Sequence, residues 1–141
     1  MDVRASLEAN CDASRLFGLV NDLASYPQWM DLVHRVEPLG GDAWNVELRA
    51  KVGPFARSKR LRMVRTLSEP NSRVRFDRVE EDGRSHAEWV LTATIDSVGS
   101  ACTLTMHLHY GGSLFTGGVL ERVLADKSEA GRSRLATLVS N

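Results

Sequence analysis

Residues 87–110, AEWVLTATIDSVGSACTLTMHLHY, decide the fold. Ala87, Trp89, Leu91, Ala93 and Ile95 fall on every second position, and after Ser97-Val98-Gly99-Ser100 the alternation resumes with Cys102, Leu104, Met106, Leu108 and Tyr110. A period of two places successive side chains on opposite faces of a strand, so each half reads as a strand with one buried face, and the turn residues between them make the pair antiparallel.

Moving upstream, Val74 and Phe76 precede Asp82-Gly83, a two-residue hairpin signal. Its type I′ geometry predicts Phe76 opposite Trp89 and Val74 opposite Leu91. A slip of one residue would invert these faces. Trp44, Val46, Leu48, Ala50 and Val52 alternate with Asn45, Glu47, Arg49 and Lys51, and Gly53-Pro54 supplies a turn before the next strand. At the start of the chain Val3, Ala5, Leu7 and Ala9 alternate with polar residues. Asp12 then stands where it can cap a helix carrying Leu16, Phe17, Leu19 and Val20, and a short second helix is predicted to end at Tyr26 because Pro27 follows.

Downstream of Gly111-Gly112, Val119, Leu120, Val123, Leu124, Leu135, Leu138 and Val139 form a helical stripe between Thr116 and Ser140. Its middle, Asp126 to Ser133, is polar and small, so Ala130 and Gly131 either leave open space beneath one long helix or mark a break between two shorter ones. The pattern is α+β: an antiparallel sheet, two short helices after the first strand, and a long C-terminal helix. No repeat or linker divides it, and one domain over 1–141 is the expectation.

Lys plus Arg equals Asp plus Glu at 18 each, so the chain lacks the basic balance of a dedicated nucleic-acid binder. The opening MDVRASLEANCD has no continuous apolar core, and no run reaches the roughly 18 apolar residues of a membrane span, which together predict a cytoplasmic protein without an integral membrane segment. Cys11 and Cys102 are too few for a disulfide framework. The sheet brings them near one another, but a reducing compartment disfavours a bond.

The stretch Asp12-Ala13-Ser14-Arg15-Leu16-Phe17, with Val20-Asn21-Asp22 and Tyr26-Pro27-Gln28-Trp29, resembles the opening of the polyketide cyclase/dehydrase and lipid-transport family of the START/Bet v 1-like (SRPBCC) superfamily. The order of elements agrees over nearly the whole chain. The resemblance implies a helix-grip fold, in which a curved seven-stranded antiparallel sheet wraps the last helix and leaves a cavity between them. Such proteins include lipid carriers, hormone receptors, coenzyme Q-binding proteins and aromatase/cyclases, so fold alone does not choose among them.

The inward faces supply a candidate cavity wall: Val46, Leu48, Leu61, Met63, Phe76, Trp89, Leu91, Met106, Leu108 and Tyr110, with Phe17 and Trp29 from the early helices and Phe115, Leu120 and Val123 from the end. An apolar wall with methionines suits a small hydrophobic or amphipathic ligand, although the same residues also suit a dry core. Arg65 and Arg78 share the inward phase, where an unpaired arginine is costly. They either anchor a ligand carboxylate or turn out at the sheet rim. Tyr26-Pro27-Gln28-Trp29 reads as a cavity end or as a packing plug.

His107, His109 and Glu88 share the outer face, where a solvated group is the simpler reading than a zinc site. Arg57, Lys59, Arg60, Arg62 and Arg65, joined by Arg49 and Lys51, form a basic run that suits a solvated strand or docking on an acidic partner or membrane. No nucleophile elbow, phosphate loop or HExxH motif occurs. No catalytic residue, metal or cofactor is called for, and Tyr110, His34, Asp77 and Arg78 are the acids, bases or cations nearest such a pocket. The function expected is a carrier or sensor of a lipid, isoprenoid or polyketide-like compound. A cyclase/dehydratase-type enzyme, or a coenzyme Q-binding or interaction module, stands as the alternative.

Overall fold

The computed structural model describes residues 2–52, 54–111 and 131–139. Seven strands, β1 (Asp2–Ala9), β2 (Val33–Gly40), β3 (Ala43–Val52), β4 (Phe55–Glu69), β5 (Arg73–Arg78), β6 (Trp89–Val98) and β7 (Ala101–Tyr110), form one antiparallel sheet in the order β1-β7-β6-β5-β4-β3-β2. Between β1 and β2 lie helix α1 (Ala13–Val20) and a 3₁₀ helix (Leu23–Gln28), and residues 131–139 form helix α2. Five of the six neighbour pairs are sequential hairpins, so only β1 must cross the molecule to pair with β7.

The β6–β7 hairpin follows its sequence pattern. Trp89 pairs with Tyr110, Leu91 with Leu108 and Val98 with Ala101, and Gly99 takes φ 62° as the first position of a two-residue loop requires. Between β4 and β5, Ser72 N–H donates to Glu69 C=O with Pro70 at the second turn position and Asn71 at φ 62° in the third, the arrangement of a type II turn.

The β5–β6 register differs from the hairpin expectation. Phe76 pairs with Leu91 and Val74 with Ala93, and residues 79–88 make the connection. Asp82 still turns the chain, but its carboxylate accepts from the Arg84 N–H and contacts His86, closing a local turn inside a longer loop. Arg78 bonds to both Glu80 and His86 and anchors that loop, and the strands stop short of the Asp-Gly pair. The shift is two residues, one full period, and every side chain keeps its expected face.

A second departure is a bulge in β4 between Arg65 and Leu67. It turns Leu67, which a period of two continued from Leu61, Met63 and Arg65 would set inward, to pair with the exposed Arg75, while Arg65 stays opposite buried Phe76. The early helices also differ in detail. Asp12 occupies the N-cap of α1 without a side-chain cap, whereas Asp22 caps the 3₁₀ helix by accepting from Ala24 N–H at 3.0 Å. Pro27 lies inside that helix rather than ending it, since the turn closes from Tyr26 C=O to the N–H groups of Trp29 and Met30.

The core lies between the inner face of the sheet and the helices. Phe76, with no exposed surface, meets Trp44 and Tyr26 edge-on at ring-centroid distances of 5.6 and 6.3 Å. Helix α2 adds Leu135 and Val139. Gly131 begins its described part, and a Cβ there would stand 2.7 Å from the Trp29 carbonyl oxygen. Gly131 therefore allows a close backbone approach on its Trp29 side, and it also borders open space beneath this part of the helix, as the sequence suggested. Ion pairing of Arg134 with Asp31 and donation from Arg132 to the Ser6 carbonyl add to this docking. Whether the helix breaks before Gly131 lies outside the described residues.

Candidate functional site

Two adjoining cavities separate the sheet from the helices. One, about 70 Å³, lies among β1, β7, residues 29–32 and the start of α2, with Ala5, Leu7, Trp29, Met30, Leu104 and Leu135 in its wall. The other, about 100 Å³, is lined by Val46 and Leu48 of β3, Leu61 and Met63 of β4, Trp89 and Leu91 of β6, Met106 and Leu108 of β7, with Val3, Leu23 and Tyr26. Ala5, Met30, Leu32 and Met106 border both. Ser6, Asp31, Arg132 and Trp29 bring side chains with polar atoms to the first wall, and Tyr26 and Trp89 bring them to the second. The Tyr26 hydroxyl already donates to Val20 C=O at 2.8 Å, and burial pushes its pKa up, keeping it protonated.

Of the residues expected to form a wall, Trp29, Val46, Leu48, Leu61, Met63, Trp89, Leu91, Met106 and Leu108 border these cavities. Phe17, Phe76 and Tyr110 do not. Phe17 is half-buried beside the core, Phe76 is at its centre, and Tyr110 stacks on Trp89 at 5.3 Å. Phe115, Leu120 and Val123 lie outside the described residues. Sequence reasoning missed Met30, Leu32, Leu23 and the inner face of β1 as wall. The alternation of Val3, Ala5 and Leu7 was the available signal for β1, whereas Met30 and Leu32 sit in a connection without periodicity.

The two arginines are committed elsewhere. Arg65 lies over the Trp44 ring, its guanidinium 5.4 Å from the centroid, donates to Asn21 C=O at 2.8 Å and pairs with Asp42. It ties the end of α1 to the sheet. Arg78, its side chain 7% exposed, donates to Glu80 at 3.1 Å and Ala87 C=O at 3.3 Å. Neither guanidinium borders either cavity.

Partnerless donors occur at a different place. The indole N–H groups of Trp29 and Trp89 are buried with no acceptor, and both side chains border the cavities. Leaving such a donor unsatisfied costs about 1–3 kcal/mol, so these are sites of unused hydrogen-bonding capacity.

On the outer face, His107 and His109 both contact Asp2, at 2.7 and 3.1 Å, and the two hydrogen bonds hold the Asp2 carboxyl below its ordinary range. Val90 stands opposite His109 in the β6–β7 register, and the Glu88 carboxylate lies 3.4 Å from the His109 ring. Among the described residues no group of His, Cys, Asp and Glu is arranged to hold a metal ion. Cys102 donates its thiol to Cys11 C=O at 3.1 Å, and both cysteines are free.

A sequence profile described as polyketide cyclase/dehydrase and lipid transport matches residues 1–140. The chain belongs to that family. Its sheet, early helices and C-terminal helix share the helix-grip fold of START/Bet v 1-like proteins. A START superfamily protein from Mycobacterium smegmatis superposes with a TM-score of 0.73 at 15% identity, covering 99% of this chain and 97% of that one. A protein from Deinococcus radiodurans gives 0.69 at 16% identity, with 99% and 95% covered. The di-domain aromatase/cyclase StfQ of the steffimycin biosynthetic pathway gives 0.69 at 12% identity, this family member spanning half of its length. No curated protein sequence matches the chain. Among the described residues no helix is long and apolar enough to cross a membrane.

Proposed function

We propose that this family member binds a small apolar or amphipathic molecule between sheet and C-terminal helix, as a carrier or sensor in the cytoplasm. The observation that carries the reading is the pair of adjoining cavities walled by apolar side chains, with three of the chain's four methionines, Met30, Met63 and Met106, among them. Each cavity is smaller than the roughly 150 Å³ that accepts benzene. A larger ligand needs the wall to move, and unbranched methionines re-pack at low cost. The buried indole N–H groups support an uncharged ligand with oxygen acceptors, and the internal partners of Arg65 and Arg78 argue against a carboxylate anchor. Two neighbouring free thiols suit a reducing compartment.

A cyclase would need an acid or base at the reacting carbon. His34 is exposed, Asp77 is bound by Arg75 and Thr66, Arg78 by Glu80, and Tyr110 is stacked on Trp89, so none of the four borders a cavity. Asp31 does border the first cavity, but Arg134 holds both of its carboxylate oxygens, and this favours binding over catalysis.

The test is native mass spectrometry of the purified protein, followed by calorimetric titration with acetophenone and with ethylbenzene. A copurified apolar ligand is expected, together with about five- to ten-fold tighter binding of the ketone, the value of one neutral hydrogen bond. Ala5→Leu, which narrows both cavities, should weaken both probes. Binding that ignores Ala5→Leu, or no binding at all, overturns the proposal.

A further inference from the structure

The basic run lies on the β3–β4 hairpin. Residues 49–62 hold Arg49, Lys51, Arg57, Lys59, Arg60 and Arg62 and no acidic residue. Eighteen cations less these six leaves twelve against eighteen carboxylates elsewhere, so a chain of zero net charge is strongly polarised. Local carboxylates offset only part of it: Arg62 pairs with Glu81 at 3.1 Å, and Glu47 stands opposite Arg60 in the β3–β4 register. Arg65, Arg75, Arg78 and Arg134 likewise have a carboxylate partner, whereas Arg49, Arg57, Lys59 and Arg60 form no ion pair among the described residues.

The hairpin also carries Phe55, which begins β4 opposite Val52 and is 70% exposed. Register divides the cations around it. Arg57 and Lys59 pair with Ala50 and Leu48 on the inner face, while Arg49 and Arg60 alternate onto the outer one. Cations on both faces of a narrow tip with an exposed aromatic ring suit a plane met end-on better than a flat protein surface met by one face. An interface of anionic headgroups is such a plane: it attracts Lys and Arg and accepts a phenyl ring at headgroup depth.

We propose that the β3–β4 hairpin docks this protein on anionic membrane surfaces, with Phe55 in the headgroup region and the cations around it facing lipid anions. Leu61 and Met63, further along the same strand, line the larger cavity. At about 3.3 Å per residue, docking brings that cavity within about 20 Å of the bilayer, in reach of a lipid-borne ligand.

The experiment is co-sedimentation of the whole protein with vesicles of phosphatidylcholine alone or mixed with phosphatidylserine, while circular dichroism checks that each variant is folded. The mixed vesicles should bind the protein and the neutral ones should not, and binding should fade with added salt. Arg57→Gln with Lys59→Gln should lower the partition by roughly five-fold per charge removed. Phe55→Ser should lower it further, and Arg73→Gln with Arg75→Gln on β5 should leave it unchanged. Equal binding to both vesicle types, equal loss in the β5 control, or anion binding that is indifferent to Phe55→Ser and equally strong on heparin, a soluble polyanion, would overturn the proposal. The readout is independent of cavity occupancy, so it fails or succeeds separately from the ligand titration.

Discussion

Tyr26 has no exposed surface, and its hydroxyl ties the 3₁₀ helix to the end of α1 through Val20 C=O while its ring tilts against Trp29 at 4.5 Å. Tyr26→Phe leaves that carbonyl buried without its donor and should cost about 1–2 kcal/mol in denaturant unfolding. Burial raises the folded-state pKa of Tyr26 above its ordinary value. A raised folded pKa means stability that is complete below the unfolded value, about 10, and declines as pH rises beyond it. The wild type should therefore lose stability above about pH 10 more steeply than Tyr26→Phe, a difference that thermal melts across alkaline buffers will show. Arg78 makes the opposite point about reading single residues. Its inward phase was legible, but its partners Glu80, Ala87 C=O and His86 lie in a loop whose path the sequence pattern did not reveal. Arg78→Met should lower stability by about 1–3 kcal/mol and leave the affinity for acidic ligands unchanged, as paired calorimetric and melting measurements would register.

Helix α2 shows how an element is positioned by one missing side chain. Alanine is favoured over glycine in a helix interior by about 1 kcal/mol, so on propensity alone Gly131→Ala should stabilise. The Trp29 carbonyl oxygen, 2.7 Å from where the new Cβ would stand, is backbone and cannot swing away. The substitution should instead destabilise by about 1–3 kcal/mol and lift α2 from the first cavity, which a fall in melting temperature and a change in acetophenone affinity would record. Strand β4 makes a similar point. Alternation identified Leu61 and Met63 as inward, but the bulge after Arg65 reverses Leu67, and a bulge leaves no period-two signature.

Across the whole molecule, residues distant in sequence meet through the β1–β7 pairing, which sets Ala5 opposite Met106 and brings β1 into both cavity walls. The family and the α+β helix-grip architecture were legible from the motif around Tyr26-Pro27-Gln28-Trp29 and from the strand order, because hydrophobic period and turn chemistry are local. Period also identified the buried faces, since a strand has only two and one must face the core. The sequence by itself thus determined the element types, the inner faces and the polarised charge of the β3–β4 hairpin. Tertiary structure alone decided the β5–β6 register, the partners of Arg65 and Arg78, and which inward residues border space rather than close-pack. Those outcomes depend on how strands curve and on which distant groups satisfy a buried donor, and neither is encoded in the spacing of residues along one strand. Phe76 and Leu91 face the same interior and pair across adjacent strands, yet only Leu91 borders a cavity, because Tyr26 and Trp44 already fill the space around Phe76.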